Sequence, residues 1–285
     1  MHGREHNLIP DVHAHKRVFL LTGGQNNVLS ICHCLSEAGL NHLKITIGEC
    51  LGSPEEKITQ GNLNEILDNE YAALSVMLIE NENPDAVVTP GLPDELFLRD
   101  KGSKGIVPMT KSEIRSICLS KLALTENACC WDIGSGTGSV AVEMALQARY
   151  GQIYAIEQDN DALELSRRNA ERLSAGNITF VHGTAPIICE NLPSPTHIFI
   201  GGSSGNLPEI FRELESRNSD MRIVVTAVTL DTIAQMNQIL ENFPITESET
   251  IMVQTALAKK FGSHQLMVGG NPVYIFSMRI SGVTD

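Results

Sequence analysis

A glycine-rich stretch in the middle of the chain constrains its fold more than any other feature. The apolar run 128–133, interrupted only by Asp132, ends at a turn with three alternating glycines, Gly134, Gly136 and Gly138. Apolar residues then recur at helical spacing over 140–148, so the pattern predicts a strand, a tight loop and a helix. Glycine permits positive φ and lets a ligand approach the backbone, and the start of a helix offers unpaired N–H groups to an anion.

Two acids indicate which ligand this loop binds. A dinucleotide-binding loop has its third glycine where Ser139 stands, and Asp132 would repel the phosphates of NAD but attract the ammonium group of a methionine moiety. Glu157 ends the apolar segment 152–157, where a carboxylate can accept hydrogen bonds from both ribose hydroxyls of an adenosine. The pattern resembles that of class I S-adenosylmethionine (SAM) methyltransferases, although the glycine loop alone is also compatible with a plain strand–helix turn. The resemblance implies a SAM site at Asp132, Gly134, Ser135, Gly136, Thr137, Gly138 and Glu157.

Composition narrows the remaining possibilities. The 285 residues suffice for one large or two modest domains, and no apolar run approaches the length of a membrane span. The formal charge of −13 argues against a nucleic-acid partner, because binding the phosphate backbone requires a clustered positive surface. The seven cysteines form no C-x-x-C pair, residues 1–17 lack the apolar core of a signal peptide, and no spacing suggests a metal site. We therefore expect a cytoplasmic protein with reduced thiols, no bound metal and no membrane contact.

Alternating strand and helix patterns follow the glycine loop. Apolar runs predict further strands at 178–182, 197–200, 222–229, 249–253 and 273–278. The last two strands, joined by residues 256–262, fit the antiparallel ending of class I methyltransferases. We predict an α/β fold whose main part is a Rossmann-like, seven-stranded sheet, preceded by a smaller N-terminal α/β segment.

The N-terminal segment has its own α/β pattern. Strands are predicted at 17–22, 44–47 and 73–79, with one helix capped by Asn26 or Asn27 and another at 62–68. Residues 51–79 resemble the C-terminal half of a tetrapyrrole methylase domain, without that domain's glycine-rich N-terminal half. The polar linker 81–85 then gives two predicted domains, a structural one at 1–85 and a SAM-dependent methyltransferase domain at 86–285.

Two further motifs resemble the decarboxylating precorrin methyltransferases of cobalamin biosynthesis. G-x-P-D-x-x-F at 91–97 is followed by P-M-T-K-x-E-I-R at 108–115, in which Thr110 and Glu113 have the spacing of a capping box. The resemblance implies that Thr110 also lies against SAM. At 183–186 the chain reads G-T-A-P where the family usually reads G-D-A-P, which implies that Thr184 and Ala185 lie at the adenine end of the cofactor. Thr184 lacks the usual charge, so the backbone of Ala185 is the expected contact.

The loop after the fourth strand of the main sheet bears on the substrate. Methylases of nucleic-acid amines carry an N-P-P-Y-type motif at this place, whereas this chain has the small residues Gly201, Gly202 and Ser203. Small residues leave room for a broad, flat substrate, and I-G-G-S-x-G resembles the precorrin family, although a simple glycine turn is the alternative. The implied reaction is methylation of carbon 15 of the tetrapyrrole and decarboxylation of its ring C acetate, with these three residues positioning the substrate.

Other parts of the prediction rest on the resemblance or on charge. The chain has no evident acid–base residue for the reaction, so its catalytic residues are unknown. A precorrin has several carboxylates, and four nearby cations are candidate clamps or, alternatively, solvated surface charges: Arg99, Lys104, Lys111 and Arg115. The family resemblance also implies a homo-oligomer such as a tetramer. A SAM-dependent RNA or protein methyltransferase and a non-catalytic SAM- or tetrapyrrole-binding subunit are the alternative functions.

Overall fold

The structure, a computed structural model, describes residues 8–84, 89–102, 105–217 and 219–281. The chain divides into two compact units. One lies within Met1–Val88 and includes Ala170–Asn177, and the other comprises Thr89–Asn169 and Ile178–Asp285. Within the described residues, no helix is both long and apolar enough to cross a bilayer.

The first unit is a four-stranded antiparallel sheet with short helices. Its elements are α1 (Ile9–Ala14), β1 (Arg17–Leu21), α2 (Val28–Glu37), β2 (Lys44–Glu49), β3 (Lys57–Asn62), α3 (Leu63–Leu67) and β4 (Ser75–Glu80). The strand order is β1-β4-β2-β3, and every neighbouring pair is antiparallel.

Side-chain caps explain the starts of two of the three helices in this unit, α2 and α3. Asn27 accepts a hydrogen bond from the Ser30 amide at the start of α2, and Asn62 and Glu65 form a reciprocal capping box at the start of α3. The inward residues of β2 and β4, such as Ile47 and Met77, are fully buried in one core with the helices. The unit also contains α1 and the edge strand β3, which the sequence patterns did not predict.

The second unit contains the predicted seven-stranded sheet. The strands and helices of this part of the chain are β5 (Lys101–Gly102), β6 (Gly105–Ile106), α4 (Ser112–Leu122), β7 (Cys129–Ile133), α5 (Ser139–Gln147), β8 (Gln152–Glu157), α6 (Asn160–Arg172), β9 (Ile178–His182), β10 (His197–Ile200), α7 (Leu207–Ser216), β11 (Met221–Ala227), α8 (Leu230–Asn242), β12 (Ile245–Val253), β13 (Ala256–Phe261), β14 (His264–Gly269) and β15 (Val273–Ile280). The strand order is β12-β15-β11-β10-β7-β8-β9, and β15 is antiparallel to both of its neighbours.

This topology confirms the predicted α/β fold class. Strands β7 to β11 are parallel to one another, so their carboxyl ends and the loops that follow lie at the same edge of the sheet. Trp131, Phe199 and Phe211 are fully buried in the core beside these strands. The connection between β12 and β15 differs from the simple link that was expected, because it forms the separate hairpin β13–β14, whose residues are all exposed.

Candidate functional site: a cavity at the carboxyl edge of the parallel strands

A cavity of about 340 Å³ lies at the carboxyl edge of the parallel strands. The loops after β7, β8, β9 and β10 form most of its wall, and the segment before α4 supplies the rest. The lining residues are Gly105, Ile106, Val107, Pro108, Ile133, Gly134, Gly136, Ile156, Glu157, Gln158, Asp159, Ala162, Gly183, Thr184, Ala185, Gly201, Gly202, Ser203 and Ser204.

The glycine loop lies at the centre of this wall and packs closely against two neighbouring segments. Gly134 and Gly136 have φ values of +74° and +55°, and both line the cavity. A Cβ atom on Gly134 would lie 2.5 Å from the carbonyl oxygen of Gly202, and one on Gly136 would lie 2.7 Å from that of Pro108. Glycine is therefore required here by positive φ and by the protein's own backbone packing, in addition to any approach by a ligand.

Asp132 lies behind the glycine loop in the buried core. Its side chain accepts a hydrogen bond from the Ala141 amide at 3.0 Å, in the first turn of α5. Burial raises the pKa of its carboxyl to about 7, although the hydrogen bond from Ala141 favours the charged form. The contact holds the start of α5 to the end of β7. The predicted contact with an ammonium group stays a prediction, since Asp132 is buried and does not line the cavity.

The polar residues between the glycines support the loop from inside. Ser135 and Thr137 are buried, and the Ser135 carbonyl accepts a hydrogen bond from the Gly138 amide at 2.9 Å. The Thr137 amide donates to the carbonyl of Pro108 at 3.3 Å. The loop is thus fixed against the segment before α4, and Gly134 and Gly136 are its cavity-lining residues.

Glu157 places a carboxylate in the cavity wall. One of its oxygens accepts from the amides of Gln158 and Asp159 at 2.8 and 3.0 Å, and the other accepts from the Gly136 amide at 3.0 Å. Three backbone donors therefore orient the carboxylate before any ligand binds, and the oxygen bonded to the Gly136 amide keeps acceptor capacity. The same contact ties the end of β8 to the glycine loop.

Thr184 and Ala185 also line the cavity. The carbonyl of Ala185 accepts a hydrogen bond from the Asn206 side chain at 3.2 Å, which fixes this turn to the start of α7. Val107 and Ala162 pack together in a small apolar cluster and line the cavity as well, and a Cβ atom on Gly136 would lie 4.0 Å from the Val107 side chain. The apolar cluster therefore lies beside the glycine loop, and the adenine contact of Thr184 and Ala185 stays a prediction.

Thr110 does not form the predicted capping box. The N-cap residue of α4 is Lys111, which provides no side-chain cap, and the Ser112 amide donates instead to Asp94 at 3.1 Å. A carboxylate 18 positions earlier in the chain therefore replaces the local cap. Thr110 is half-buried, and its carbonyl accepts from Arg115, so its contact with SAM stays a prediction.

Arg115 is the most extensively bonded side chain near the cavity and is fully buried. Its guanidinium group donates to Glu143 at 2.8 Å and to Asp94 at 2.9 Å, also bonds the carbonyls of Thr110 and Leu92, and lies 4.7 Å from the centre of the Phe97 ring. These contacts use its donors inside the protein. The geometry does not support the predicted carboxylate clamp at Arg115.

The other predicted clamps are placed differently. The Lys111 ammonium lies 2.9 Å from Asp94, and its side chain is half-exposed. Arg99 is exposed. Lys104 lies outside the described residues. The structure therefore leaves Lys111 and Arg99 able to reach solvent and gives no test of Lys104.

The loop after β10 forms the side of the cavity next to the glycine loop. The Gly201 amide donates to the carbonyl of Ile133 at 3.0 Å, which holds this loop close to the end of β7. A Cβ atom on Gly202 would meet no atom within 4 Å, so the space in front of it is open. Across the cavity, the Gln158 side chain donates to the Ser204 hydroxyl at 2.8 Å and joins the loops after β8 and β10.

Some cavity-lining residues were not predicted. Gln158 and Asp159 follow Glu157 directly, so their position after a predicted strand was the available signal. Pro108 and Val107 precede the predicted Thr110 site, but only the fold brings them against the glycine loop. Within the described residues, no group of three or more His, Cys, Asp or Glu side chains is placed to hold a metal ion.

The fold and the cavity together define a class of protein. A seven-stranded sheet with an antiparallel β15, a glycine loop after β7 and an acid at the end of β8 is the arrangement of class I SAM-dependent methyltransferases. A SAM-dependent O-methyltransferase from Thermotoga maritima shares this fold, with a TM-score of 0.51 and 12% identity, over 85% of this chain and 94% of that one. The cavity fits such a cofactor, because its centre is a bare glycine backbone and its wall carries an oriented carboxylate.

A more specific relationship is found at the level of sequence. The family model for the precorrin methyltransferase domain matches residues 103–279, and the chain belongs to this family. A probable cobalt-precorrin-6B C(15)-methyltransferase (decarboxylating) from Pyrobaculum calidifontis is 39% identical over 66% of this chain and 95% of its own length. One from Saccharolobus solfataricus is 37% identical over 67% of this chain and 96% of its own length.

Solved structures agree with this assignment. The precorrin-6y C5,15-methyltransferase from Geobacter metallireducens is 35% identical and has a TM-score of 0.60, over 67% of this chain and 97% of that chain. A precorrin 8w decarboxylase from Methanobacterium thermoautotrophicum is 27% identical with a TM-score of 0.58. The family prediction is therefore confirmed, and fold and family imply that the protein uses SAM.

Proposed function

We propose that this protein transfers a methyl group from SAM to carbon 15 of a precorrin-6B macrocycle, with or without cobalt, and removes carbon dioxide from its ring C acetate. The main support is the match to relatives named for this reaction, which extends over nearly their whole length. The open space in front of Gly202, beside the glycine loop, supports a broad substrate at this position.

The cavity suggests how the cofactor lies. The methionine end would lie over the glycine loop, the ribose would donate to Glu157, and the adenine would lie against Ala185 and Thr184, with Thr110 and Asp132 as further candidate contacts. Backbone amides already orient the Glu157 carboxylate, and Thr184 and Ala185 line the same cavity, which supports this orientation. The glycine-lined end then directs the methyl group towards Gly202.

The reaction mainly requires the protein to position SAM and the macrocycle relative to each other. When bound, SAM supplies an electrophilic methyl group, and the electron-rich macrocycle provides the carbon nucleophile. The residues Gly201, Gly202 and Ser203 border the open space where that carbon would approach in line. The conjugated ring accepts the electron pair that the departing carbon dioxide leaves behind, and a proton from water then completes the methyl group that replaces the acetate.

The first unit has a different proposed role. We assign residues 1–85 as a partial tetrapyrrole methylase-like domain with a structural function, and residues 86–285 as the methyltransferase domain. The support is that the first unit has its own core of fully buried side chains from β2, β4 and its helices. Within the described residues 8–84, no strand of this sheet is followed by three alternating glycines like those after β7.

We also propose that the protein is a homo-oligomer such as a tetramer, formed through the hairpin β13–β14. The pairing of β13 with β14 puts Leu257, Phe261, Leu266 and Val268 on one face together with Lys259 and His264, and the four apolar side chains are exposed. A mainly apolar face of this kind is typical of a contact between proteins. Light scattering of a Leu257→Asp variant tests this proposal, since a charge opposite the apolar Val268 should yield monomers.

The free thiols of all seven cysteines support a cytoplasmic location.

Mass spectrometry of the reaction product tests the proposed function directly. Purified protein is incubated with SAM and either cobalt-precorrin-6B or its cobalt-free form, and we expect a product that has gained a methyl group and lost carbon dioxide. Methylation without loss of carbon dioxide would reject the decarboxylating assignment.

A Gly202→Phe variant tests the position of the substrate. The added ring fills open space, so the fold should be retained, and SAM affinity should change by less than about threefold while turnover is lost. Normal turnover by the folded variant would mean that the macrocycle lies elsewhere.

A further inference from the structure

Two large apolar side chains are exposed directly after β11. Val228 is 66% exposed and Leu230 is 83% exposed. Both follow a strand whose carboxyl end lies at the same edge of the sheet as the cavity. An isolated exposed leucine is ordinary, but two within three residues at the functional edge of a sheet call for an explanation.

The topology sets these side chains beside the substrate side of the cavity. Strand β11 is parallel to β10, and Val225 is paired with Ile200, so Val228 and Ser203 each lie three residues beyond that pair. The Thr226 hydroxyl donates to the carbonyl of Ile200 at 3.5 Å, so the two strand ends remain side by side. The turn after β11 therefore borders the loop 201–205.

A second contact joins the following helix to the same loop. The Gln235 side chain of α8 donates to the carbonyl of Gly205 at 3.4 Å. The loop after β10 is thus held from one side by α8 and from the other by the bond between Gln158 and Ser204. In the strand order, β11 with Val228 and Leu230 lies on one side of β10, whereas β9, which precedes Thr184 and Ala185, lies at the opposite edge of the sheet.

The fold itself does not need an apolar side chain at these two positions. Thr229 caps α8 by accepting from the Thr232 amide at 3.2 Å, so the start of the helix is already satisfied. The core face of α8 is provided by Met236 and Ile239, which are fully buried. Leu230 points away from that core, and its apolar surface is removed from water only if another molecule covers it.

We infer that Val228 and Leu230 form an apolar shelf that packs against the face of the tetrapyrrole substrate. The charged acetate and propionate groups of such a macrocycle lie on its rim, whereas its face is largely carbon. An apolar shelf next to the open space at Gly202 supports the ring plane and leaves the rim carboxylates in solvent. The identity of the occupant rests on the proposed function, and the location of the shelf rests on the topology.

Four variants test the shelf. Leu230→Gln and Val228→Thr keep size and remove apolar surface, singly and together, and Leu230→Met keeps the apolar surface. Leu74→Gln is a matched control, because Leu74 is an exposed leucine of the first unit. The readouts are the equilibrium binding of cobalt-precorrin-6B by ultrafiltration, kcat and KM for the same macrocycle, SAM affinity by calorimetry, and molecular mass by light scattering.

We expect the macrocycle to bind about tenfold more weakly to Leu230→Gln, and more weakly still to the double variant, because the apolar contact is lost. KM should rise by a similar factor, whereas kcat and SAM affinity should stay within about twofold. Leu230→Met and Leu74→Gln should behave like the wild-type protein. A role in the fold alone would instead lower thermal stability and SAM affinity together.

Other results overturn the inference in distinguishable ways. Unchanged macrocycle binding by the folded double variant rejects the shelf and leaves the proposed function intact. A lower molecular mass of the variants would identify the two residues as a contact between copies of the chain. If the wild-type protein binds the macrocycle without converting it, the proposed function fails and the shelf is still judged by binding. If the wild-type protein does not bind it at all, both proposals fail.

Discussion

Two polar centres in the second unit stabilise negative charge in different ways. The arginine centre consists of the fully buried Arg115 with the carboxylates of Glu143 and Asp94 at 2.8 and 2.9 Å. Its one cation and two carboxylates leave a net charge of −1, which Lys111, 2.9 Å from Asp94, balances. The acid centre consists of Asp132 and Glu157, whose hydrogen-bond donors in the described part of the chain include the backbone amides of Ala141 and Gly136. The first centre is stabilised by cations, and the second by backbone dipoles.

The pKa values follow this difference. Burial alone would raise the pKa of Asp94, but the hydrogen bonds from Lys111 and Arg115 hold it below its usual value. Burial raises the pKa of Asp132 to about 7. This carboxyl is therefore partly protonated at neutral pH, and a cation bound close to it would favour its charged form.

The largest effect is expected when the arginine centre loses its cation. Arg115→Met would leave Glu143 buried without its cation and Asp94 with Lys111 as its remaining cation, which costs about 3–5 kcal/mol of unfolding free energy. Urea unfolding followed by circular dichroism measures this loss. Arg168→Met is the matched control, because Arg168 pairs with Asp100 on the surface and should contribute less than about 1 kcal/mol. Equal losses in the two variants would refute a special role for the arginine centre.

The acid centre should instead respond in ligand binding. Glu157→Gln removes the charge and replaces one acceptor oxygen by a donor, so we expect SAM affinity to fall by about 1.5–3 kcal/mol. Calorimetry measures the affinity, and Glu164→Gln on the exposed face of α6 is the control, with no change expected. Unchanged SAM binding in Glu157→Gln would reject the proposed contact between the SAM ribose and this carboxylate.

A smaller effect concerns the pH dependence of stability. Since the pKa of Asp132 is raised on folding, the native state binds more protons than the unfolded state between about pH 4, the usual range of an aspartate, and pH of about 7. This group therefore makes the protein less stable as pH rises through that interval. Asp94 has the opposite sign, and its contribution is lost as pH falls.

An Asp132→Asn variant isolates this contribution. Asparagine can still accept from the Ala141 amide through its carbonyl oxygen but cannot ionise. Relative to the wild-type protein, the variant should gain more than about 1 kcal/mol of unfolding free energy between about pH 5 and pH 7. Parallel urea unfolding series at the two pH values provide the measurement. Identical pH dependence in both proteins would show that Asp132 titrates as it does in the unfolded chain.

The two centres also differ in how far the sequence predicts them. The glycine loop and Glu157 follow from local patterns, because a strand, a glycine turn and a second strand with a terminal acid are contiguous signals. The arginine centre joins residues 21 and 28 positions apart, and no local pattern relates Arg115 to Asp94 or Glu143. For this reason Arg115 was interpreted as a surface clamp, whereas the fold buries it completely.

The same limit explains the errors at element boundaries. Thr110 and Glu113 have the local spacing of a capping box, but the Ser112 amide donates its hydrogen bond to Asp94 instead. Strand β3 was missed because Lys57–Asn62 is an edge strand with mostly exposed residues and a weak apolar pattern. The seven-stranded sheet was predicted because its central strands are apolar and buried, and their pattern is therefore strong.

The smallest expected effect lies at the edge of the arginine centre, at Lys111. Its ammonium lies 2.9 Å from Asp94, but its side chain is half-exposed, and Asp94 keeps its bonds to Arg115 and the Ser112 amide without it. Lys111→Met should therefore change the unfolding free energy by less than about 1 kcal/mol. If Lys111 also binds a carboxylate of the macrocycle, KM for cobalt-precorrin-6B rises while the urea midpoint stays constant. If both KM and the urea midpoint stay constant, the predicted carboxylate clamp at Lys111 is rejected. If stability falls nearly as much as in Arg115→Met, Lys111 stabilises the arginine centre as strongly as Arg115 does.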